Sequence, residues 1–410
     1  MDIAGLYGKL ASSEDAERRF DDLWRKHEEI FGEKPQALFS TSGRTELGGN
    51  HTDHNLGKVI AGSINLDTIA AVSKVPGNIV TVASEGYPII EVDISKLDID
   101  QSLFGTTDAL VKGVASSITK RGGQIGGFKA NMSSRVFKGS GLSSSAAIEV
   151  LVGTIFNSLY NNDRFSTTDL AIMGQEAEND YFGKPSGLMD QLACANGGIV
   201  GIDFQDPKAP VITPIAIDFA DYGYNLVITT TGGNHADLTA DYASIPVEMK
   251  TVARFFGKSV LREVPYEQFK QYVGKLRETI SNDRAILRAY HYFEENLKVD
   301  AMVDALKRKD FGTYLKMVTA SGESSFKYLQ NIYSPKAAGE QGIALAYMMT
   351  DTFLNGDGAF RVQGGGFAGT LEAYIPCDRT EEYSKHMEKL FGEGCCTTLA
   401  IRNLPTMRIR

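Results

Sequence analysis

Apolar and polar positions along the chain change period several times, and the changes mark out elements. A charged helical stretch is predicted over Ser13–Phe31, stopped by Gly32 and Pro35. Alternating or continuous apolar runs follow at Val59–Ile64, Thr68–Val72, Ile79–Ala83 and Ile89–Ile94, which predicts strands. Gly127–Val136 reads as another strand. Ala146–Tyr160 reads as a buried helix. Thr167–Phe182 reads as a second helix, with Leu170, Met173, Ala177 and Tyr181 on its apolar stripe. Tyr224–Thr230 is a strand that opens a helix-rich second half. Helices are expected there at Val247–Phe256, Tyr266–Val273, a long region from Leu276 to about Leu306, and Ala337–Phe353. Phe360–Gln363 and Gly369–Ile375 look like strands around a glycine-rich break, and helix Thr380–Phe391 precedes strand Thr397–Ile401. This order fits an α+β protein of two lobes meeting near Ile202–Pro210, with residues 1–205 and 206–410 as the halves.

Bulk properties narrow the class. The chain has 410 residues, 42% of them hydrophobic and 23% charged, as in a soluble globular protein of two lobes. No apolar run approaches the roughly 20 residues that span a bilayer. The charged N-terminus shows no secretory signal. Cys194, Cys377, Cys395 and Cys396 form no CxxC pair and read as reduced cytosolic thiols. A cytoplasmic protein with no membrane or nucleic-acid partner, acting as a monomer, is expected. The net charge of −9 argues against a nucleic-acid surface, yet a local cradle can still bind phosphate.

Four patterns carry candidate chemistry. Lys138-Gly-Ser-Gly-Leu-Ser-Ser-Ser-Ala-Ala147 sets glycines and three serines ahead of an apolar helical run. Such a segment turns N–H groups and a helix dipole toward an anion, so Gly139, Ser140, Gly141, Leu142, Ser143, Ser144 and Ser145 are candidate phosphate-binding residues. It is neither a Walker A loop nor a Rossmann fingerprint, and a capped Gly/Ser turn would use the same residues. Gly43-Arg-Thr-Glu-Leu-Gly-Gly-Asn-His-Thr-Asp-His-Asn55 reads as a loop that wraps a small polyol through hydrogen bonds; His51, Asp53 and His54 are poorly spaced for zinc. Gly183-Lys-Pro-Ser-Gly-Leu-Met-Asp-Gln191 follows the helix bearing Glu178. A carboxylate at the edge of that apolar stripe needs a partner or a cation, and the serine loop with Glu178 could hold one Mg²⁺. Asp190, expected on an apolar turn, is a candidate base or a cap. Arg361-Val-Gln-Gly-Gly-Gly-Phe-Ala-Gly369 allows close backbone approach between two strands, to a ligand or within a hairpin.

Together, in this order, the four resemble the GHMP kinase superfamily and, within it, the galactokinase family. The first family motif is Gly-Arg-x-Asn-Leu-Ile-Gly-Glu-His-x-Asp-Tyr; Gly43-Arg44 and Gly49–His54 align with it. Gly141–Ala146 matches the Gly-Leu-Ser-Ser-Ser-Ala loop. Gly187–Gln191 matches Gly-Ile-Met-Asp-Gln with Leu188 for Ile, and Gly364–Gly369 matches the glycine-rich motif with Ala368 for Gly. Weaker likeness at Val111–Val114 and Asp241-Tyr242 extends over nearly the whole chain.

The resemblance implies the two-lobed GHMP kinase fold: a ribosomal S5 domain 2-like N-terminal lobe and a ferredoxin-like α+β C-terminal lobe, with the active site between them. It implies ATP over Gly139–Ser145, Mg²⁺ on Ser145 and Glu178, and Asp190 taking the proton from a sugar's anomeric hydroxyl. Arg44 would keep Asp190 ionised and offset phosphoryl charge. Arg44, Asn50, His51, Asp53, Gly187, Asp190 and Tyr242 would bind the sugar. Three departures bear on its identity: Glu46 stands for the family asparagine, Asn50 for the glutamate that contacts the 6-hydroxyl, and His54 for the tyrosine. Galactose is the first expectation. Galacturonate is an alternative, because Asn50 would not repel a 6-carboxylate. A non-catalytic sugar and ATP sensor, and a GHMP kinase for mevalonate, homoserine or another sugar, are further alternatives.

Overall fold

The computed structural model describes residues 6–8, 13–136, 141–232 and 238–410. Helix α1 (Ser13–Phe31) covers the stretch expected. Ala16, Phe20 and Leu23 recur on one face and pack on Leu38, Ile69 and Ala71 of the sheet beneath. Gly32 then takes a left-handed conformation (φ 70°) that ends the helix.

The larger sheet contains β1 (Ala37–Gly48), β2 (Lys58–Lys74), β3 (Ile79–Ser84), β4 (Ile90–Asp93), β5 (Phe128–Ser134), β6 (Ile199–Asp203), β7 (Val211–Ile215) and β12 (Met407–Arg408). Its main path is β12-β1-β2-β5-β3-β4, with β6 pairing β2 and β7 pairing β6. The two runs expected at 59–64 and 68–72 are one long strand. Its first part pairs with β6 and its last part with β5 on the same edge. Helices α2 (Thr107–Lys120), α3 (Ser144–Tyr160), α4 (Thr167–Glu176) and α5 (Met189–Asn196) cover this sheet. A π turn, Ala177–Tyr181, extends α4.

The second sheet is antiparallel. Its strands are β8 (Tyr224–Thr230), β9 (Ala359–Gln363), β10 (Thr370–Pro376) and β11 (Cys396–Leu399), in the order β11-β8-β10-β9. Around it lie α6 (Thr239–Phe255), α7 (Tyr266–Gln271), α8 (Val273–Ile280), α9 (Asp283–Lys307), α10 (Phe311–Ser324), α11 (Gly342–Leu354) and α12 (Thr380–Phe391). One apolar cluster joins the sheets: Leu47, Ile60 and Ile199 from the first, Ile228 and Tyr374 from the second, with Met302 and Val318 between them. The division at 205/206 is our proposal; β7 and β12 follow it in sequence yet pair within the first sheet.

Several expectations change. Gly43–Asn55 is not one loop: β1 runs through Gly48. Its short polar side chains are buried and satisfied, Thr41 by Thr406 and Thr45 by Glu372, so polarity there marks a polar core and not a turn. The 276–306 region breaks at Ser281, left-handed at φ 52°, and Asn282 caps α9 through the Ala285 N–H. The helix expected at 247–256 begins at Thr239 and contains Pro246. Asp190 lies in the first turn of α5, not on a free turn. All four cysteines are free thiols. No helix among the described residues is long and apolar enough to cross a membrane.

Candidate active site

The β1/β2 register shifts between Ser42 and Arg44, and again between Glu46 and Gly48. A bulge re-aims the side chain beside it. Here it turns Arg44 toward the start of α3, where the Arg44 N–H donates to the Leu142 carbonyl at 3.1 Å. The Arg44 guanidinium donates to the Gly141 carbonyl and, through Nε, to Asp190 Oδ1 at 2.8 Å. Ser143 Oγ donates to Asp190 Oδ2. Burial pushes the Asp190 carboxyl up, but Arg44 and the Ser143 hydroxyl outweigh it and hold it below its ordinary value. Asp190 is therefore an ionised acceptor at neutral pH.

The serines divide their work. Gly141 (φ 70°) and Ser143 (φ 62°) adopt left-handed conformations that turn the chain into α3. Leu142 points into the core, Ser143 is committed to Asp190, and Ser144 lines the cavity. Ser145 Oγ donates to Glu178 Oε1 at 2.9 Å. The candidates Gly139 and Ser140 lie outside the described residues. Beneath this loop sit two buried carboxylates, Glu149 and Glu178, joined by the Gln191 amide, which donates to both at 2.9 Å. Glu149 Oε1 and Gln191 Oε1 have no partner. Burial, then the charge of Glu178, pushes the Glu149 carboxyl well up.

The opposite wall comes from the second sheet. The Tyr242 ring lies against Gly365, where a Cβ would stand 2.4 Å from the ring, and its hydroxyl donates to the Gly366 carbonyl at 3.1 Å. His51 Nε2 donates to the Gly365 carbonyl at 3.0 Å. Burial, then His54, pushes the His51 pKa down to about 3, so the ring is neutral. Asp53 accepts from the His54 N–H at 2.9 Å, and its Oδ2 lies against Gly187. Lys184, Arg44, Asp190 and Tyr242 line one cavity of about 250 Å³ with the serines and the glycines of the fourth pattern.

This geometry can be set beside known proteins. A model of the GHMP kinases N terminal domain matches residues 109–198, and one described as the galactokinase galactose-binding signature matches residues 25–74. A galactokinase of Glaesserella parasuis serovar 5 is 31% identical over 364 residues, covering 87% of this chain and 90% of that protein. The chain belongs to the galactokinase family. A galactokinase of Clostridium tetani is 27% identical over 387 residues, covering 91% of this chain and 92% of its own. The fold agrees with a crystal structure of Lactococcus lactis galactokinase complexed with galactose, at TM-score 0.80 and 23% identity, covering 95% of this chain and 99% of that one. Methanococcus jannaschii mevalonate kinase shares the fold more distantly, at TM-score 0.61 and 16% identity, over 89% of this chain and 98% of its own.

Against the galactokinase pattern, two of the three departures prove to be one. Asn50 Nδ2 donates to Glu46 Oε1 at 2.9 Å, so the family's asparagine and glutamate have exchanged positions within one buried pair. The other Asn50 Nδ2 proton goes to the Gly364 carbonyl at 2.7 Å, and Oδ1 accepts from Asn331 at 2.8 Å and Ser325 at 3.4 Å. The amide has no donor or acceptor left for a sugar. Asn50 therefore does not read the sugar's C6 group, and it gives galacturonate no advantage there. Glu46 does not replace it, being clamped by Arg361 at 2.7 Å with side chains 4% and 0% exposed.

Sequence reasoning named neither Arg361 nor Lys184 as functional, though both lie in quoted patterns. Glu149 was missed too; a lone carboxylate one turn after Ser145 in an apolar helix was its signal. Gly187 is required for packing: a Cβ there would stand 1.7 Å from Asp53 Oδ2. Gly187→Ala should therefore push Asp53 aside; on our proposal that Asp53 binds the sugar, it raises the sugar KM more than about tenfold, the effect of losing hydrogen bonds worth ~1.5–3 kcal/mol to a charged group. Steady-state kinetics check it, with the ATP KM nearly unchanged.

Proposed function

We propose that this chain is an ATP-dependent galactose 1-kinase that transfers phosphate directly, with Asp190 as base. The observation that carries the reading is Asp190 itself: a carboxylate held ionised by Arg44 in the cavity that the serine loop opens onto. A sugar whose anomeric hydroxyl meets Asp190 gives it a proton as the oxygen forms a bond to the γ-phosphorus. The bond from that phosphorus to the bridging oxygen breaks, and ADP leaves. Arg44 stays beside the reacting oxygens, and the first turn of α3 faces the phosphates with unpaired N–H groups. Such transfer asks mainly for alignment and charge stabilisation. His51, Asp53, Gly187 and Tyr242 would orient the sugar; Gly141, Ser143, Ser144 and Ser145, with Gly139 and Ser140, would hold ATP.

The residues fit Mg²⁺. Ser145 Oγ and the buried Glu178 carboxylate form an oxygen pair, and partnerless oxygens of Glu149 and Gln191 lie behind it. No group of three or more His, Cys, Asp and Glu side chains among the described residues could hold a metal. Mg²⁺ takes one or two protein oxygens and completes its shell from phosphates and water. Bound to Ser145 and Glu178, Mg²⁺ would neutralise phosphate charge. The free thiols agree with action in the cytoplasm, and we take the working unit to be a monomer.

Coupled ADP-release kinetics test the substrate. Galactose should give a higher kcat/KM than galacturonate, because the Asn50 amide is fully bonded within the protein and cannot face C6. An equal or higher value for galacturonate overturns the reading.

A further inference from the structure

Among the described residues, two cations line the cavity, and the mechanism above employs only Arg44. Arg44 has little freedom: it is buried and bonded to Asp190 and Gly141. Lys184 is different. Its side chain is 57% exposed, and its ammonium donates to Glu178 Oε1 at 2.8 Å, the oxygen that Ser145 also contacts. Its position is built into the fold. The π turn ending α4 leaves the Glu178 carbonyl to accept from the Lys184 N–H at 3.1 Å. Gly183, at φ 77°, makes the reversal between them, packed so closely on Phe104 that a Cβ would stand 2.3 Å from the ring. Backbone and side chain of Lys184 are thus both tied to one residue, the N–H to the Glu178 carbonyl and the ammonium to its carboxylate.

We propose that Lys184 is a further catalytic residue of the phosphoryl transfer, held in reserve. In the resting enzyme its ammonium is the counter-ion of Glu178. With a divalent cation held by that carboxylate, the Lys184 ammonium would be free to reach the phosphoryl group in transit. The inference rests on reading Ser145 and Glu178 as the cation pair.

Charge and reach carry the argument. Glu178 is 1% exposed, and a buried carboxylate needs a compensating charge in every state. Without a metal, Lys184 supplies it. A divalent cation at the same oxygen would stand within a few ångströms of the ammonium and repel it, and the cation is favoured because phosphates hold it as well. The ammonium sits on a flexible four-carbon stem, with the serine loop and Asp190 lining the same cavity. The displaced charge therefore stays where negative charge collects. Asp190 feels it already: after Arg44 and Ser143, Lys184 also lowers that carboxyl.

The test uses Mn²⁺ as probe, with binding to the nucleotide-free enzyme followed by electron paramagnetic resonance, alongside steady-state kinetics. Lys184→Met should bind Mn²⁺ more tightly, at least about threefold, because the competing ammonium is gone. The same variant should lose about 10²-fold in kcat, as when one preorganised donor to a transition state is removed, with the galactose KM within about twofold of wild type. Lys184→Arg should restore most of the rate. Mn²⁺ affinity unchanged in Lys184→Met, or kcat unchanged, overturns the proposal. Glu178→Gln separates it from its premise. If that variant binds Mn²⁺ as wild type does, the cation pair is wrong and the proposal falls with it. If Glu178→Gln loses Mn²⁺ while Lys184→Met binds it as wild type, only the lysine's role is refuted.

Discussion

Asp190→Asn should retain galactose binding and lose turnover, with kcat lower by about 10³-fold, within the range that a positioned base contributes. The asparagine keeps the shape and can still accept from Arg44 Nε, so the cavity wall stays in place. What disappears is the acceptor for the anomeric proton. Calorimetric binding of galactose and coupled ADP release read the two effects separately, and unchanged turnover would remove Asp190 as the base. The wild-type pH profile carries a second signature. Burial raises the Asp190 carboxyl, but Arg44 and Ser143 bring it below its ordinary value. A base with a lowered pKa is active above that value and fails only as pH falls through it. The acid limb of kcat/KM, which reports the free enzyme, should therefore lie below about 3.9, the reference for aspartate, as far as the fold survives. An acid limb near pH 6 would show that a different group takes the proton.

The parts of this enzyme legible in the sequence are those whose local chemistry is self-contained. Thr380–Phe391 and Tyr224–Thr230 carry their own periodicity and stops, and they stand where expected. Gly187 and Asp190 sit in a motif whose spacing encodes a close approach, and Asp53 and Arg44 do face them. Long-range partnership was not legible. Gly43–Gly48 reads as part of a loop, although it is the end of β1, because the partner that satisfies Thr45, Glu372, lies far along the chain. Asn50 looked like a sugar ligand because nothing local reveals that Asn331 and Ser325 reach it across the fold. Arg361 lies inside a glycine-rich motif, yet its partner Glu46 is more than three hundred residues away and reaches it by packing alone.

The largest stability effect should come from that kind of residue. Arg361 is wholly buried; it donates through Nη2 to Glu46 Oε1 at 2.7 Å and through Nη1 to the Glu46 carbonyl. Burial pushes its pKa down, but Glu46, Glu372 and Glu295 outweigh it and raise it. It is thus the ion-pair partner of Glu46, its charge also acts on buried Glu372 and Glu295, and Glu46 in turn accepts from Asn50. Arg361→Met removes the cation and leaves the acids, a change that costs about 3–5 kcal/mol where a buried pair is broken. The loss should depend on pH in a fixed direction. Burial raises Glu372 to about 7 even with Arg361 present, and it raises Glu46 as well. Without the arginine both folded-state values rise further. An acid raised on folding contributes stability below its unfolded value, near 4.3, and loses it as pH climbs through the folded value. Thermal melts of Arg361→Met should therefore lie furthest below wild type at pH 8 and approach it near pH 5. Adding Glu372→Gln should recover part of the loss at pH 8, because one of the three acids no longer needs a counter-charge. An equal deficit at both pH values would mean that the arginine acts through packing and not through charge.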